Sequence, residues 1–360
     1  MRTALLALPF LALSTCGALA KESLSREFGG ATATFSGQIS YGLLRTDDGE
    51  EENAFFVDND NSSTRFRLRI ERELSGGTTL GVIWVFEPQY NSSAAVDQRD
   101  RWVGDEAANR RLQIRATHPG WGELSVGKGD TATEDAAQQD LSATSLAGFS
   151  DVDALSGGMV FRDGDGALSE VTVGAAYTNL DGLGRRERLL YVSPSRGGIT
   201  LRTSFGGAED FFDIALRYEG AAGEFDLAGG VGWFREARGD DGLTGSISAL
   251  HRATGISVTA AAGSQDRQAA PDIRTRYLKL GWQDEGIMPL GLTAISLDWG
   301  RSDDVLQAGD AVTAYGFQAV QVVERINTDL YLGYCRHDLD RANETFQDVD
   351  SMQMGARFRF

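Results

Sequence analysis

Beyond residue 20 the chain has no apolar run near the twenty or so residues that a membrane-crossing helix needs, so helical spans are excluded. Cysteine is almost missing. Only Cys16 and Cys335 occur, and if a leader carrying Cys16 is removed no intrachain disulfide can form, even in an oxidising compartment. Histidine is equally scarce, and His118, His251 and His337 share no metal-ligand spacing. Basic residues are short too: 34 Lys and Arg against 52 Asp and Glu leave a net charge of −18. Such a surface disfavours nucleic acid and welcomes divalent cations. Proline is held to 6 positions while glycine reaches 44, a balance that suits strands joined by tight turns.

Residues 1–20 read as an export signal. Arg2 supplies the positive start, residues 4–13 a short apolar stretch, and Ala18-Leu19-Ala20 a small-x-small cleavage site before Lys21. A lipoprotein site at Cys16 is the competing reading, and Thr15 matches it poorly. The mature chain, residues 21–360, reads as a single domain, since no linker and no periodic repeat interrupts it.

What the chain does have is alternation. At its end Met352, Met354, Ala356, Phe358 and Phe360 share one face, and Gln353, Gly355, Arg357 and Arg359 the other. Period-two alternation is a β-strand with one greasy and one wet side. The pattern recurs near the start, where Phe35, Ile39, Tyr41 and Leu43 oppose Thr34, Ser36, Gln38 and Ser40. In residues 63–74 Phe66, Leu68 and Ile70 oppose Arg65, Arg67 and Arg69, and further on Leu112 and Ile114 oppose Arg111, Gln113 and Arg115. Short turns alternate with longer polar loops, as expected of a transmembrane barrel with one short-turn end and one long-loop end. A soluble sandwich needs no such asymmetry. Phe358 and Phe360 would then lie in the aromatic girdle at the bilayer interface.

Three stretches break the rhythm. Residues 47–61 read as an acidic loop, whose Asp58-Asn59-Asp60-Asn61 run lacks the turn glycine and bidentate glutamate of a calcium loop. Residues 311–323 alternate poorly, with Gln321 in the way, which suggests a bulge. Residues 129–186 form a long irregular region with two short alternating pieces, 158–162 and 171–177. Counting both pieces as spans gives eighteen strands.

Four stretches together resemble the general porins of Gram-negative, Rhodobacter-like bacteria: Ser63-Thr64-Arg65-Phe66-Arg67-Leu68, Gly122-Glu123-Leu124-Ser125-Val126-Gly127-Lys128-Gly129-Asp130-Thr131, Tyr191-Val192-Ser193-Pro194 and the terminal Phe360. The resemblance implies an all-β protein, a transmembrane antiparallel barrel of sixteen strands with a long third external loop folded into the lumen. It therefore favours sixteen over eighteen. It also implies a homotrimer in the outer membrane, in contact with lipid and lipopolysaccharide, that passes small hydrophilic solutes and ions by passive diffusion. Phe360, with Phe358 beside it, would be the assembly signal.

In a pore the chemistry is charge placed across a narrow aqueous gap. Arg65, Arg67, Arg69, Arg111 and Arg115 lie on lumen faces of strands close in sequence and are the expected basic wall. Asp130, Glu134, Asp135 and Asp140, with Asp151 and Asp153, belong to the loop that the family folds opposite such a wall. Facing rows of opposite sign set up a transverse field that favours polar solutes. The plainer alternative is that these are solvated charges whose salt bridges hold the loop. No cofactor is expected beyond Ca2+ or Mg2+ held loosely at the acidic loops, and the net charge leans the channel mildly towards cations. A substrate-selective channel remains the alternative. A barrel hydrolase built on Ser or Asp with His337 lacks a readable nucleophile and base, so no enzyme is expected.

Overall fold

The computed structural model describes residues 24–207 and 210–360, the side chains of Asp105 and Glu106 apart. The export signal expected at residues 1–20 lies outside the described residues. Alternation becomes strand almost throughout. The first seven strands are β1 (Leu24–Phe28), β2 (Ala31–Asp47), β3 (Glu52–Asp58), β4 (Arg65–Glu73), β5 (Thr79–Tyr90), β6 (Asp105–His118) and β7 (Gly122–Asp130). A long connection carries the short β8 (Val160–Arg162) and β9 (Leu168–Thr172) before β10 (Arg185–Val192). The rest is a meander of β11 (Ile199–Phe205), β12 (Phe212–Ala222), β13 (Phe225–Arg235), β14 (Asp241–His251) and β15 (Ile256–Asp266). It continues through β16 (Ile273–Asp284), β17 (Thr293–Asp303), β18 (Ala311–Val323), β19 (Thr328–Asp340) and β20 (Val349–Arg359).

These segments close into a sixteen-stranded antiparallel barrel. The sheet itself holds 18 segments, because two staves are each built from two pieces. β3 and β4 both pair along one edge of β2, with the single 3-10 turn Asp60–Ser62 between them. β1 and β20 share the other edge of β2, and β20 also pairs with β19, which closes the cylinder. Closure satisfies every strand edge, and in lipid an unpaired backbone group costs several kcal/mol. Outward side chains such as Ile247, Leu278, Leu280 and Leu297 are exposed, whereas their inward neighbours Ser246, Ser248, Lys279 and Ser296 are buried.

β8 and β9 pair only with each other and stand outside the wall. The piece read at 171–177 does not span either. It breaks into the helical turn Val173–Ala176, capped where Ala175 N donates to Thr172 Oγ1 (3.1 Å). The eighteen-strand count is therefore dropped.

Two other expectations are corrected. Nearly half of the acidic loop expected at residues 47–61 is strand β3: Phe55 and Val57 are buried inward while Phe56 points out at 71% exposure. Flanking carboxylates hid this short alternation. Residues 311–323 carry no bulge, since β18 pairs in unbroken register with both neighbours. Their poor alternation arises because both faces are apolar. Tyr315 and Phe317 face outward, while Val312 and Ala314 face an apolar core inside the barrel.

That core is made by the long loop, residues 131–184. Val152, Met159, Phe161, Val173 and Tyr177 of the loop pack against Leu44, Phe55, Val57, Val312, Leu339 and Val349 of the wall. Each fully buried large apolar side chain contributes about 2 kcal/mol, enough to offset part of the entropy lost in ordering the loop. The glycines of the wall let the loop lie close. A Cβ on Gly281 would stand 2.7 Å from Ser142 Cβ, and one on Gly333 would stand 2.3 Å from Ala147 O. One side of the lumen is thus filled, and the polar space is confined to the other.

Candidate functional site

A cavity of about 670 Å³ lies between the loop and the wall formed by β4, β5, β6 and β10. Arg65, Arg67, Arg110, Arg111 and Arg185 line it, facing Glu134, Asp135, Asp151 and Asp181 of the loop, with Glu87 and Asp60 on the wall side. Arg65 and Arg67 share a face of β4 because they are two residues apart. Arg110 and Arg111 are consecutive, so regular pairing would send one outward. The wall's register shifts between Val85 and Phe86, which oppose Arg111 and Asn109, leaving Arg110 as the extra residue of a β-bulge. Both guanidinium groups then reach the lumen.

Most of these charges are paired. Arg110 bonds Glu87 (2.6 Å), Arg111 bonds Asp130 (2.6 Å), and Arg185 bridges Asp130 (3.1 Å) and Glu134 (2.5 Å). Arg65 and Arg67 differ: neither has a carboxylate within salt-bridge distance among the described residues. Arg65 donates instead to Ser62 Oγ (3.2 Å). On the loop, burial pushes the Glu134 carboxyl up to about 7 despite the pull of Arg185. Burial, then the neighbouring Glu134 and Asp135, hold Asp181 well above the carboxylate range. Glu134, Asp135 and Asp181 bring carboxylate oxygens within 4.8 Å of one another, close enough to hold a divalent cation loosely.

The expected site residues thus divide into groups. Arg65, Arg67, Arg111, Glu134, Asp135 and Asp151 line one cavity. Asp130 stands behind it, bridging Arg111 and Arg185. Arg69 and Arg115 lie nearer the short-turn end, where Arg115 pairs with Glu71 and with Glu123 (3.4 Å), and Arg69 approaches Glu71 (4.0 Å). Asp153, a half-buried residue of the loop, does not line the cavity, and desolvation and Asp151 hold its carboxyl up.

Asp140 is inside the contact between loop and wall. It accepts from Lys279 Nζ (2.8 Å), Ser142 N (2.8 Å) and Thr259 Oγ1 (3.2 Å). Burial alone would raise this carboxyl, but Lys279 and the Ser142 donors together hold it below its ordinary value.

Arg110, Arg185 and Asp181 escape sequence reasoning. A bulge redirects the first, and the other two lie in or beside a loop whose course no periodicity reports. Glu87 is two residues from the inward Val85 on β5, so alternation turns it inward as well, yet only the fold puts it beside Arg110. His337 is buried beneath the loop, with Nε2 3.2 Å from Val152 O and 3.4 Å from Cys335 Sγ. It does not line the charged cavity.

The Gram-negative porin family matches residues 4–342. The chain belongs to that family. The porin fold is shared with an anion-selective porin from Comamonas acidovorans, at 16% identity over 92% of this chain and 100% of that one, with a TM-score of 0.62. A Rhodopseudomonas blastica porin carrying three substitutions aligns at 18% identity over 91% and 100%, with a TM-score of 0.52. The outer membrane channel DcaP of Acinetobacter baumannii aligns at 10% over 93% and 99%, with a TM-score of 0.58. No curated protein sequence matches this porin. It is a multi-spanning barrel of the Gram-negative outer membrane.

Proposed function

We infer that this porin is a water-filled channel for passive diffusion of small hydrophilic solutes and ions, not an enzyme. One observation carries the reading: guanidinium groups on the wall face loop carboxylates across a cavity within a closed barrel. Water and polar solutes orient in such a field, while an apolar solute gains nothing. His337, the histidine named for a barrel hydrolase, meets a thiol and a carbonyl instead of a hydroxyl nucleophile. In this reading the mature chain, residues 21–360, assembles as a homotrimer among outer-membrane lipid and lipopolysaccharide, with a mild preference for cations.

Conductance of the purified protein in a planar bilayer tests the proposal. Three-step insertion with current linear in solute supports a general porin, and absence of conductance sinks it. A current that saturates with one solute would make the channel substrate-selective instead.

The chain terminus is assigned the role of assembly signal. Phe360 N donates to Gly37 O (3.0 Å) and Gly37 N to Phe360 O (2.8 Å), so the last residue completes the seam between β20 and β2. Its ring sits 5.9 Å from Phe35, 6.1 Å from Phe66 and 6.0 Å from Phe358. Deleting Phe360 is expected to lower the amount of assembled barrel in outer membranes several-fold while leaving the conductance of each assembled channel unchanged. Wild-type assembly levels, measured by heat-modifiable migration on gels, would count against this role.

A further inference from the structure

Three adjacent staves, β10, β11 and β12, carry the inward arginines Arg188, Arg202 and Arg217, and none of these three meets a carboxylate within salt-bridge distance among the described residues. They hold main-chain oxygens instead. Arg188 donates from Nε to Asp130 O (2.9 Å) and from Nη1 to Gly127 O (3.0 Å). Arg202 donates to Thr131 O (3.2 Å). Arg217 donates from Nη1 to Asp135 O (2.8 Å) and from Nη2 to Glu134 O, with Thr133 O at 3.5 Å. The oxygens belong to one continuous stretch, the chain leaving β7 and entering the loop. Asp213 of β12 completes the grip by accepting from Thr133 N (2.8 Å) and Thr133 Oγ1 (2.6 Å).

Burying a guanidinium without a counter-charge is costly, and Arg188 and Arg217 are both buried. The planar fork of arginine holds several carbonyl oxygens in one fixed geometry, which the point charge of a lysine on a flexible stem does not reproduce. The two residues whose oxygens Arg217 holds most closely are Glu134 and Asp135, whose side chains line the charged cavity. Arg217 itself does not line it.

We propose that Arg217 is a positioning residue for selectivity: by clamping the backbone at Glu134 and Asp135 it fixes where their carboxylates stand opposite the arginine wall. This rests on the channel reading above. The permeating ion never touches Arg217, yet its path is set by it.

The test uses the full-length protein in planar bilayers under a KCl gradient, with reversal potential and open-channel noise as readouts. Arg217→Lys keeps the charge and removes the fork. It is expected to change the cation-to-anion permeability ratio about twofold and to raise open-channel noise, with heat-modifiable migration on gels unchanged. In a Glu134→Gln, Asp135→Asn background the same change should leave the ratio where that background puts it. A wild-type ratio and noise in Arg217→Lys, or an equal shift in the neutralised background, would overturn the proposal. Should Arg217→Lys fail to assemble, Arg202→Lys, which loses one 3.2 Å contact to the same stretch, takes its place. A smaller shift in the same readouts supports the clamp, and wild-type behaviour overturns it. A wild type that does not conduct removes the channel reading itself, whereas a conducting wild type with an unmoved variant removes only the clamp.

Discussion

Replacing Arg65 and Arg67 together by glutamine is expected to shift the permeability ratio towards cations by about tenfold, equivalent to ~1.4 kcal/mol. These are the two arginines of the cavity without a carboxylate partner, so their charge is not cancelled locally by an ion pair. Two charges 4 Å apart interact by about 1 kcal/mol in bulk water and about 4 kcal/mol at an effective dielectric of 20. Removing two uncompensated charges beside a permeating ion therefore reaches the stated magnitude even with partial screening.

The barrel should tolerate the change. Ser62 Oγ, which Arg65 approaches, also accepts from Gln38 Nε2 (2.8 Å) and Arg357 Nη1 (2.9 Å), so no buried acceptor is orphaned. Arg115→Gln is the internal control. Sequence reasoning put it in the same wall, but its guanidinium pairs with Glu71 and Glu123 outside the cavity. Reversal potentials in a KCl gradient distinguish the two cases. An equal shift from Arg115→Gln would show that selectivity is not set at this cavity.

Lys279→Met is expected to be the most destabilising single change in the loop contact, by about 3–5 kcal/mol at neutral pH. Lys279 and Asp140 have side chains 0% and 4% exposed, and Nζ also donates to Gly148 O (2.8 Å). The substitution strands a buried carboxylate, which is the costly way to break such a pair. Lys279→Met with Asp140→Leu should recover much of the loss, because an apolar pair of similar bulk can replace a buried ion pair at little cost.

The pH dependence carries a definite sign. Native Asp140 is held below its ordinary value, so the wild-type pair contributes stability above the unfolded carboxylate range near pH 4 and loses it as pH falls through the lowered native value. The single variant lacks that contribution, and its deficit should narrow in acid. Urea unfolding of detergent-folded protein at several pH values measures both effects. A pH-independent deficit would mean that lost packing, not charge, is responsible.

Residues in strands were legible wherever one face meets lipid and the other meets water. Arg65 and Arg67 could be assigned inward because Phe66 and Leu68, which alternate with them, are apolar, and alternation at both ends of the chain marked β2 and β20 as strands. The reading weakened wherever the inward face is not wet. In β18, Val312 and Ala314 meet the loop's apolar core, so strand alternation blurred into an apparent irregularity. In β3, seven residues among carboxylates were too few to stand out.

The candidate site divides along the same line. The sequence by itself determined the barrel, its membrane-facing belt and the presence of opposed basic strands and an acidic loop, because a period of two depends only on which atoms prefer lipid to water. Tertiary structure alone decided which of those charges share a cavity. Arg110 enters through a bulge, Asp140 leaves to bind Lys279, and Arg188, Arg202 and Arg217 grip a backbone more than fifty residues away in sequence. Such choices rest on hydrogen bonds and close packing between segments distant in the chain, for which no local pattern of residues carries a signature.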